Sequence, residues 1–348
     1  MLSQLSSNVV SAKARAMYGR RLNAQNYQEM LNCKSVTEIA RYLAANTDYD
    51  KVLAGINDGE VHRGQLENRL KQKLLSDSAS LCRYEISIRD ALATYLLQRS
   101  EVEQILNALL LLNADMTKEY FFSMPAPLAL HSHVDLVRLS GAETFDGVIA
   151  ALAHTPYQAL IEPFRPAYDN SFDFTAAENA LYTYLYSQLY EMIEHQRLKG
   201  MKKDLKEIVD LYLDLNNFAR VLRFKTYFQA GPDYIRSNLL PFGSLNKVEI
   251  EKMIQARDAG EVRSILAQTR IGKKTGKIQY NFADQLAERA LYKTCRHSIH
   301  FSVHASVVML SYIFYMQIEL MDIINIVEGI RYHLPPEEIK KLLAFSDF

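Results

Sequence analysis

The stretch LAANTDY at residues 43–49 returns twice along the chain, as LAHTPY at residues 152–157 and as LAQTRI at residues 266–271. Each copy places a Leu-Ala pair ahead of a threonine and follows hydrophobic residues at helical spacing. The three threonines are 108 and 114 positions apart, close to one third of the 348-residue chain. This period is much longer than the roughly 20–50 residues of solenoid repeats. It therefore predicts one small helical domain in three copies.

Locally, this stretch predicts the end of a short helix, followed by a turn that places one apolar residue in a core. That residue comes two positions after each threonine and is Tyr49, Tyr157 or Ile271. Six residues are a weak signal alone, so the repeat needs a second element at the same period.

A longer helical pattern provides that second element. It has an acid at position i, a polar residue at i+3, and apolar residues at i+4, i+7 and i+8, which is one face of an α-helix. The three acids are Glu101, Asp214 and Glu319, spaced by 113 and 105 positions. Two elements in the same order predict a threefold repeat over residues 1–120, 121–235 and 236–348.

Within each repeat the pattern predicts short helices followed by a long helical hairpin, and we find no convincing strand. The predicted opening helix runs from Ser3 to Tyr18, and glycine and proline lie at the joints. Long hairpins of this kind pack side by side by burying their apolar stripes. The sequence therefore predicts an all-α fold.

Composition narrows the class of protein. Forty basic residues balance forty acidic ones, and 49% of the residues are hydrophobic. A strong nucleic-acid binder usually has a basic excess, which is absent here. Cys33, Cys82 and Cys295 are far apart and odd in number, which indicates reduced thiols in a cytosolic protein.

The sequence also bears on membrane insertion. The N-terminus has no apolar segment typical of a signal peptide. The longest charge-free apolar run, near residues 303–316, is shorter than the roughly 18–20 residues of a spanning helix. We therefore expect a soluble protein that reaches a membrane only through another component.

Two segments resemble chemical sites. RIGKKTGK at residues 270–277 resembles part of a phosphate-binding loop, but Ala267 and Lys274 replace the glycine and the Ser or Thr that such a loop needs. We interpret it as a solvated basic turn. His297, His300 and His304 share one face if they lie on one helix, and two histidines at that spacing can bind a metal. We expect packing or partner contact instead, with no metal and no cofactor.

Charged residues allow further alternatives. Glu101, Asp214 and Glu319 could converge on an axis, although we favour the simpler interpretation that they stabilise the start of a helical segment or form ion pairs. A basic cluster at a hairpin tip is either solvated or contacts an acidic partner or lipid headgroups. Its residues are Arg197, Lys199, Lys202, Lys203 and Lys206.

The C-terminal segment carries the clearest resemblance to a known family. Its matching residues are Glu319, Ile323, Gly329, Arg331, Leu334, Pro335, Pro336 and Glu337. With the three L-A-x-T boxes and the N-terminal AKARAM, which contains Lys13 and Arg15, this segment resembles the C subunit of the V/A-type rotary ATPases and the related d subunit of the vacuolar enzyme. The resemblance covers nearly the whole chain. Asp322, Ile324 and Ile330 depart from the family's Asn, Arg and Lys.

The resemblance implies a non-catalytic rotor component. Three pseudo-threefold-related repeats would form a funnel that receives the central axle and sits on the cytoplasmic face of the proteolipid ring, one copy per complex. Torque would pass from the ATP-hydrolysing head to the ring that carries H⁺ or Na⁺. The expected partner-facing residues are Arg220, Arg223, Lys225, Glu319, Asp322 and Arg331.

Two other classes of function remain open at this point. A helical scaffold or adaptor would bind peptide or protein partners unrelated to an ATPase, but it leaves the long period unexplained. A metal-dependent enzyme would use the three histidines, and it predicts stoichiometric metal and activity that depends on His300.

Overall fold

The computed structural model describes residues 2–56, 59, 61–83, 89–114, 116–117, 132–167, 172–196, 198–345 and 347. Within these ranges the regular secondary structure is helical and no strand occurs. The all-α prediction is therefore confirmed.

Two compact units make up the chain. The first comprises Met1–Arg89 and His195–Phe348, and the second comprises Asp90–Glu194. The threefold division into residues 1–120, 121–235 and 236–348 is not tested by this partition and stays a prediction. Its first boundary, between residues 120 and 121, lies outside the described residues.

The N-terminal part of the first unit contains five helices. They are α1 (Leu2–Gly19), α2 (Ala24–Leu31), α3 (Val36–Asn46), α4 (Asp50–Leu53) and α5 (Arg63–Cys82). The predicted opening helix is confirmed to within one residue at each end. Asn23 and Ser35 cap α2 and α3, because each side chain accepts a backbone N–H bond from the first helical turn.

Helix α6 (Arg89–Asn113) opens the second unit. Its first residue, Arg89, still belongs to the first unit, and the rest of the helix belongs to the second. Three short helices follow within residues 132–167, namely α7 (Leu136–Ser140), α8 (Phe145–Ala151) and α9 (Pro156–Ile161). The unit ends with the tyrosine-rich α10 (Phe174–Glu194). Pro156 occupies the first position of α9, where its missing N–H costs no hydrogen bond.

The C-terminal part of the first unit opens with α11 (Lys199–Arg223), which runs into a π-helical segment, Phe224–Phe228. The remaining helices are α12 (Pro232–Ser237), α13 (Lys247–Gln255), α14 (Ala259–Gln268), α15 (Arg270–Thr275), α16 (Ala283–Phe301), α17 (Ala305–Arg331) and α18 (Pro336–Lys340). The segment expected to be a basic turn is therefore mostly helix α15. Thr269 caps it by accepting the Gly272 N–H bond at 3.0 Å.

Helix α17 forms the centre of the first unit. It packs against α16, α1 and α5, and 21 of its residues are buried. By length and composition α17 could cross a membrane, but 83% of its most apolar window is covered by the rest of the chain. A helix that is apolar on all sides is buried either in a protein core or in lipid. Its packing partners identify α17 as a core helix.

Candidate functional site

The acids that recur in the sequence each lie near the middle of a long helix. Glu101 is in α6, Asp214 is in α11, and Glu319 is in α17. The interpretation that they stabilise helix starts is wrong, because each helix begins at least three turns earlier. All three are buried, so their carboxylates need hydrogen-bond donors from elsewhere in the fold.

In the second unit, Glu101 accepts hydrogen bonds from a loop and from one of the repeated boxes. The His133 backbone N–H donates to Oε1 at 2.6 Å, and the Ser132 hydroxyl donates to the same oxygen at 3.1 Å. The Tyr157 hydroxyl donates to Oε2 at 2.7 Å, and burial raises the pKa of that tyrosine. Glu101 therefore holds the chain just before α7 and the box that opens α9.

In the first unit, Asp214 holds the loop that precedes α13. The Ser244 backbone N–H and hydroxyl donate to Oδ2 at 2.8 and 2.9 Å, and the Leu245 N–H donates to Oδ1 at 3.2 Å. Gly243 has φ +125°, and a side chain there would overlap the Asp214 carboxylate. Burial outweighs the donated hydrogen bonds and raises the pKa of Asp214 to about 6.

Glu319 makes the corresponding contacts near the N-terminus of the chain. The Leu22 backbone N–H donates to Oε2 at 3.0 Å, and the Tyr49 hydroxyl donates to Oε1 at 3.0 Å. These partners are 297 and 270 positions away in sequence. Burial raises the pKa of Glu319 to about 7, although both hydrogen bonds act in the opposite direction.

In two of the three helices the polar position one turn after the acid has the same role. Asp322 accepts the Ala344 and Phe345 N–H bonds at 2.7 and 2.9 Å, and burial raises its pKa to about 6. Asn217 donates to the Leu240 carbonyl and accepts the Leu240 N–H bond, both at 2.9 Å. Each of these side chains fixes the backbone of a segment that has no regular structure of its own at that point.

The three acids thus occupy equivalent local arrangements, and two of the three boxes, those of Tyr49 and Tyr157, take part in them. Each acid binds backbone N–H groups one or two residues before the N-cap of a short helix, where the caps are Asn23, Asp135 and Asn246. The hydroxyls of Tyr49 and Tyr157 add a further donor to two of them. Both elements are visible in the sequence but their contact is not, and the tyrosines of the first two boxes were the available signal for it.

Two of the residues expected to face a partner lie in the interior. Glu319 is 3% exposed and Asp322 is 1% exposed, and both carboxylates are enclosed by donors from the chain itself. Neither carboxylate is therefore exposed to a partner in this fold. They were expected at the surface because helical spacing alone does not show which neighbouring segment covers a given face of the helix.

The basic residues of that group lie at or near the surface but have partners within the chain. Arg220 donates to the Asn238 carbonyl at 3.0 Å, and Lys225 donates to the Ala256 carbonyl at 2.6 Å.

The two arginines at the ends of long helices are more exposed. Arg223 pairs with Asp284 at 2.7 Å, and Arg331 pairs with Glu328 at 2.9 Å. Both arginine side chains are more than two-fifths exposed. Exposed pairs of this kind contribute little stability, so these guanidinium groups are available to a partner at low cost.

The histidines do not form the single helical face that their spacing allows. Helix α16 ends at Phe301 and His304 is the N-cap of α17, so the junction between the two helices separates His304 from His297 and His300. The His300 ring meets the edge of Tyr18, and His297 packs on Phe301. Over the described part of the chain, no three His, Cys, Asp or Glu residues are grouped to hold a metal ion.

The buried carboxylates predict how stability depends on pH. Asp214, Glu288, Glu319 and Asp322 all have pKa values raised by burial above those of the unfolded chain. Protonation of these carboxyls therefore favours the folded state. The resulting stabilisation is fully present below about pH 4, the pKa of carboxyls in the unfolded chain, and it is lost as the pH rises through the folded pKa values of 6 to 7. Because each pKa unit corresponds to about 1.4 kcal/mol, we expect the free energy of unfolding to fall by several kcal/mol between pH 5 and pH 8.

Urea unfolding followed by circular dichroism at both pH values measures this change. The Glu319→Gln variant has no charge to lose at that position, so its pH dependence should be shallower. Equal slopes in the two proteins, or stability that rises toward pH 8, would contradict the assignment.

Comparison with known proteins shows the family to which this all-helical chain belongs. The chain belongs to the ATP synthase (C/AC39) subunit family, whose profile matches residues 10–342. It is therefore a rotary-ATPase component of the C type, as its C-terminal segment and its repeats indicated.

The relatives named A-type ATP synthase C subunits include the protein of Pyrococcus abyssi. It is 24% identical over 344 residues, covering 96% of this chain and 89% of the relative. The Pyrococcus horikoshii protein is 23% identical with the same coverage. The Methanosphaera stadtmanae protein is 23% identical over 268 residues, covering 75% of this chain and 66% of the relative.

Proposed function

We propose that this protein is the non-catalytic central-stalk component that couples the axle of a V/A-type rotary ATPase to its membrane proteolipid ring. The observation that carries the proposal is the family match across residues 10–342. In this role the chain is a peripheral component at the cytoplasmic face of the membrane, present once per complex. It transmits torque during proton or sodium transport and performs no chemistry itself.

The internal contacts support a mechanical role. A part that transmits torque must not yield where its segments join, and the joints are where Glu101, Asp214 and Glu319 bind backbone N–H groups. Hydrogen bonds to charged or partly charged acceptors are stronger than neutral ones, and buried examples are costly to break. These three ties therefore stiffen the connections between long helices and short ones.

The equivalent ties also support the proposed pseudo-threefold arrangement. Each involves an acid of a long helix and the entry to a short helix, at a spacing of about one third of the chain. We propose that the repeats 1–120, 121–235 and 236–348 form a funnel around the axle. Cross-linking between each repeat and the axle in the assembled complex tests this, and cross-links confined to one repeat would contradict it.

Recovery of the assembled complex tests the function itself. We expect the tagged full-length protein, isolated from source membranes at low salt, to carry axle and proteolipid subunits identified by mass spectrometry. A high-salt wash should release the axle first if the socket is electrostatic. Intact bait without either partner at both salt concentrations would refute the proposal and favour a scaffold that serves other proteins.

Arg223 is the most direct test of the partner-facing surface. We expect Arg223→Glu to weaken axle binding about two- to fivefold and to increase its salt sensitivity, because exposed charges act mainly on association rate. Surface plasmon resonance with purified axle measures both effects. Arg263→Glu, a charge reversal at another exposed arginine, is the matched control and should bind normally. Equal affinity of the two variants would remove Arg223 from the interface.

A further inference from the structure

A cavity of about 200 Å³ opens beside the N-terminal half of α11 in the first unit. Helix α15 forms the opposite wall, and the loop before α13 closes one side. The charged residues of the wall are Lys203, Lys206, Arg270, Lys274, Glu207 and Asp210. We call it the basic cavity. None of its lining residues belongs to the partner-facing set inferred above, and the proposed rotor role gives the cavity no task.

Several basic side chains of the basic cavity lie near the same carboxylate, that of Glu207. Lys274 donates to Glu207 Oε1 at 2.7 Å and so joins α15 to α11. The pKa of Glu207 is lowered, first by that hydrogen bond and further by the positive charges of Arg270 and Lys203. Three basic groups from two helices are therefore close enough to affect one carboxylate.

The formal charge of the wall is positive. Four basic side chains and two acidic ones line the cavity, and Lys206 and Asp210 among them have contacts within the chain. Lys203, Arg270, Lys274 and Glu207 alone give a net formal charge of two positive units. The excess of positive charge is not needed to hold α15 in place, because the salt bridge between Lys274 and Glu207 already joins α15 to α11. The excess points to an anionic ligand with about two negative charges, and a phosphate group near neutral pH carries about −1.5 to −2.

The size of the basic cavity favours one small group. Pockets for cofactors and drug-sized ligands measure roughly 300–1,000 Å³, so a cavity of about 200 Å³ fits a single phosphate group better than a whole nucleotide. The first glycine of RIGKKTGK, Gly272, does not cradle a phosphate. Gly272 lies against the Leu266 carbonyl, where a side chain would overlap backbone atoms, so its role is close packing.

We propose that the basic cavity binds a single phosphate group, either free phosphate or a phosphomonoester headgroup exposed at a membrane surface. Arg270 offers a planar pair of N–H donors, and Lys203 and Lys274 add point charges around the same space. A lone carboxylate from a protein partner would neutralise only half of the excess charge.

Isothermal titration of the full-length protein with inorganic phosphate at low ionic strength tests the proposal. The variant is Lys203→Gln combined with Arg270→Gln, two exposed side chains of the wall. We expect it to weaken binding by at least about tenfold. Lys252→Gln combined with Arg263→Gln removes the same two residue types from exposed positions outside the cavity and should bind phosphate as the unmodified protein does. If the double variant loses helical circular dichroism, Lys203→Gln alone replaces it.

Vesicles identify the source of the phosphate. Cavity-dependent binding to phosphatidylcholine vesicles that contain phosphatidic acid, displaced by inorganic phosphate, supports the lipid headgroup, whereas binding of inorganic phosphate alone supports the free ion. No binding to either probe would overturn the proposal. Equal loss in the two double variants would also overturn it, as would tighter cavity-dependent binding of an oligoglutamate peptide, which would assign the cavity to an acidic protein partner.

Discussion

Glu319→Ala is expected to lower the free energy of unfolding by about 3–5 kcal/mol. The substitution leaves the Leu22 N–H and the Tyr49 hydroxyl buried without an acceptor, and each such loss costs about 1–3 kcal/mol. It also opens a void beside the most buried helix of the first unit. Urea unfolding at pH 6 followed by circular dichroism gives the change.

A conservative substitution at the same position separates the hydrogen bonds from the volume. In Glu319→Gln the amide oxygen can still accept from Leu22, and its NH₂ group can donate to Tyr49 if the hydroxyl rotates. We expect this variant to lose less than half as much stability as the alanine variant. Glu338→Ala, on the exposed side of α18, is the control and should change stability by less than about 0.5 kcal/mol. Equal losses for Ala and Gln at position 319 would show that the hydrogen bonds contribute little.

Gly243→Ala is expected to cost about 3 kcal/mol or more, by two separate mechanisms. At φ +125° the backbone of residue 243 is in a region that residues with a side chain rarely adopt. A methyl group there would also overlap the Asp214 carboxylate, which cannot withdraw without losing its bonds to Ser244 and Leu245. The loop before α13 would have to move, and its hydrogen bonds to Asp214 would lengthen.

A double-mutant cycle with Asp214→Ala distinguishes the two mechanisms. Without the carboxylate the overlap disappears and only the backbone strain remains, so Gly243→Ala should cost less in that background. Gly19→Ala is the matched control, since a side chain at Gly19 meets no atom within 4 Å and its φ is not positive; it should be neutral. Strictly additive losses at positions 214 and 243 would show that the overlap is relieved by local movement.

Both predictions concern the hydrogen bonds between backbone N–H groups and a buried acid, Asp214 or Glu319. We propose that these bonds stiffen the protein as a torque coupler. A destabilised tie should therefore affect coupling before it affects assembly. In a reconstituted complex that contains Glu319→Gln, we expect ATP hydrolysis to continue while ion transport per ATP declines. The same ratio of transport to hydrolysis as in the unmodified complex would separate this tie from torque transmission.

The sequence alone predicted most of the secondary structure. Helical periodicity located the long helices, proline and glycine located the joints, and the repeated acid and box revealed a common plan. These features are local, because a helix, its cap and its apolar face depend on residues within a few turns. The family resemblance rested on the same local patterns, especially the segment from Glu319 to Glu337.

Only the tertiary structure decided what the polar residues of those helices do. An acid on the edge of an apolar stripe has the same spacing whether it meets solvent, a partner or a buried loop, so Glu319 and Asp322 were expected at a surface and are found inside. The donors that make their burial tolerable lie as far as 297 positions away for Glu319. The basic cavity likewise forms because α11 and α15 bring together residues about 67 positions apart. Such contacts depend on how separate helices pack, and helical periodicity does not encode that packing.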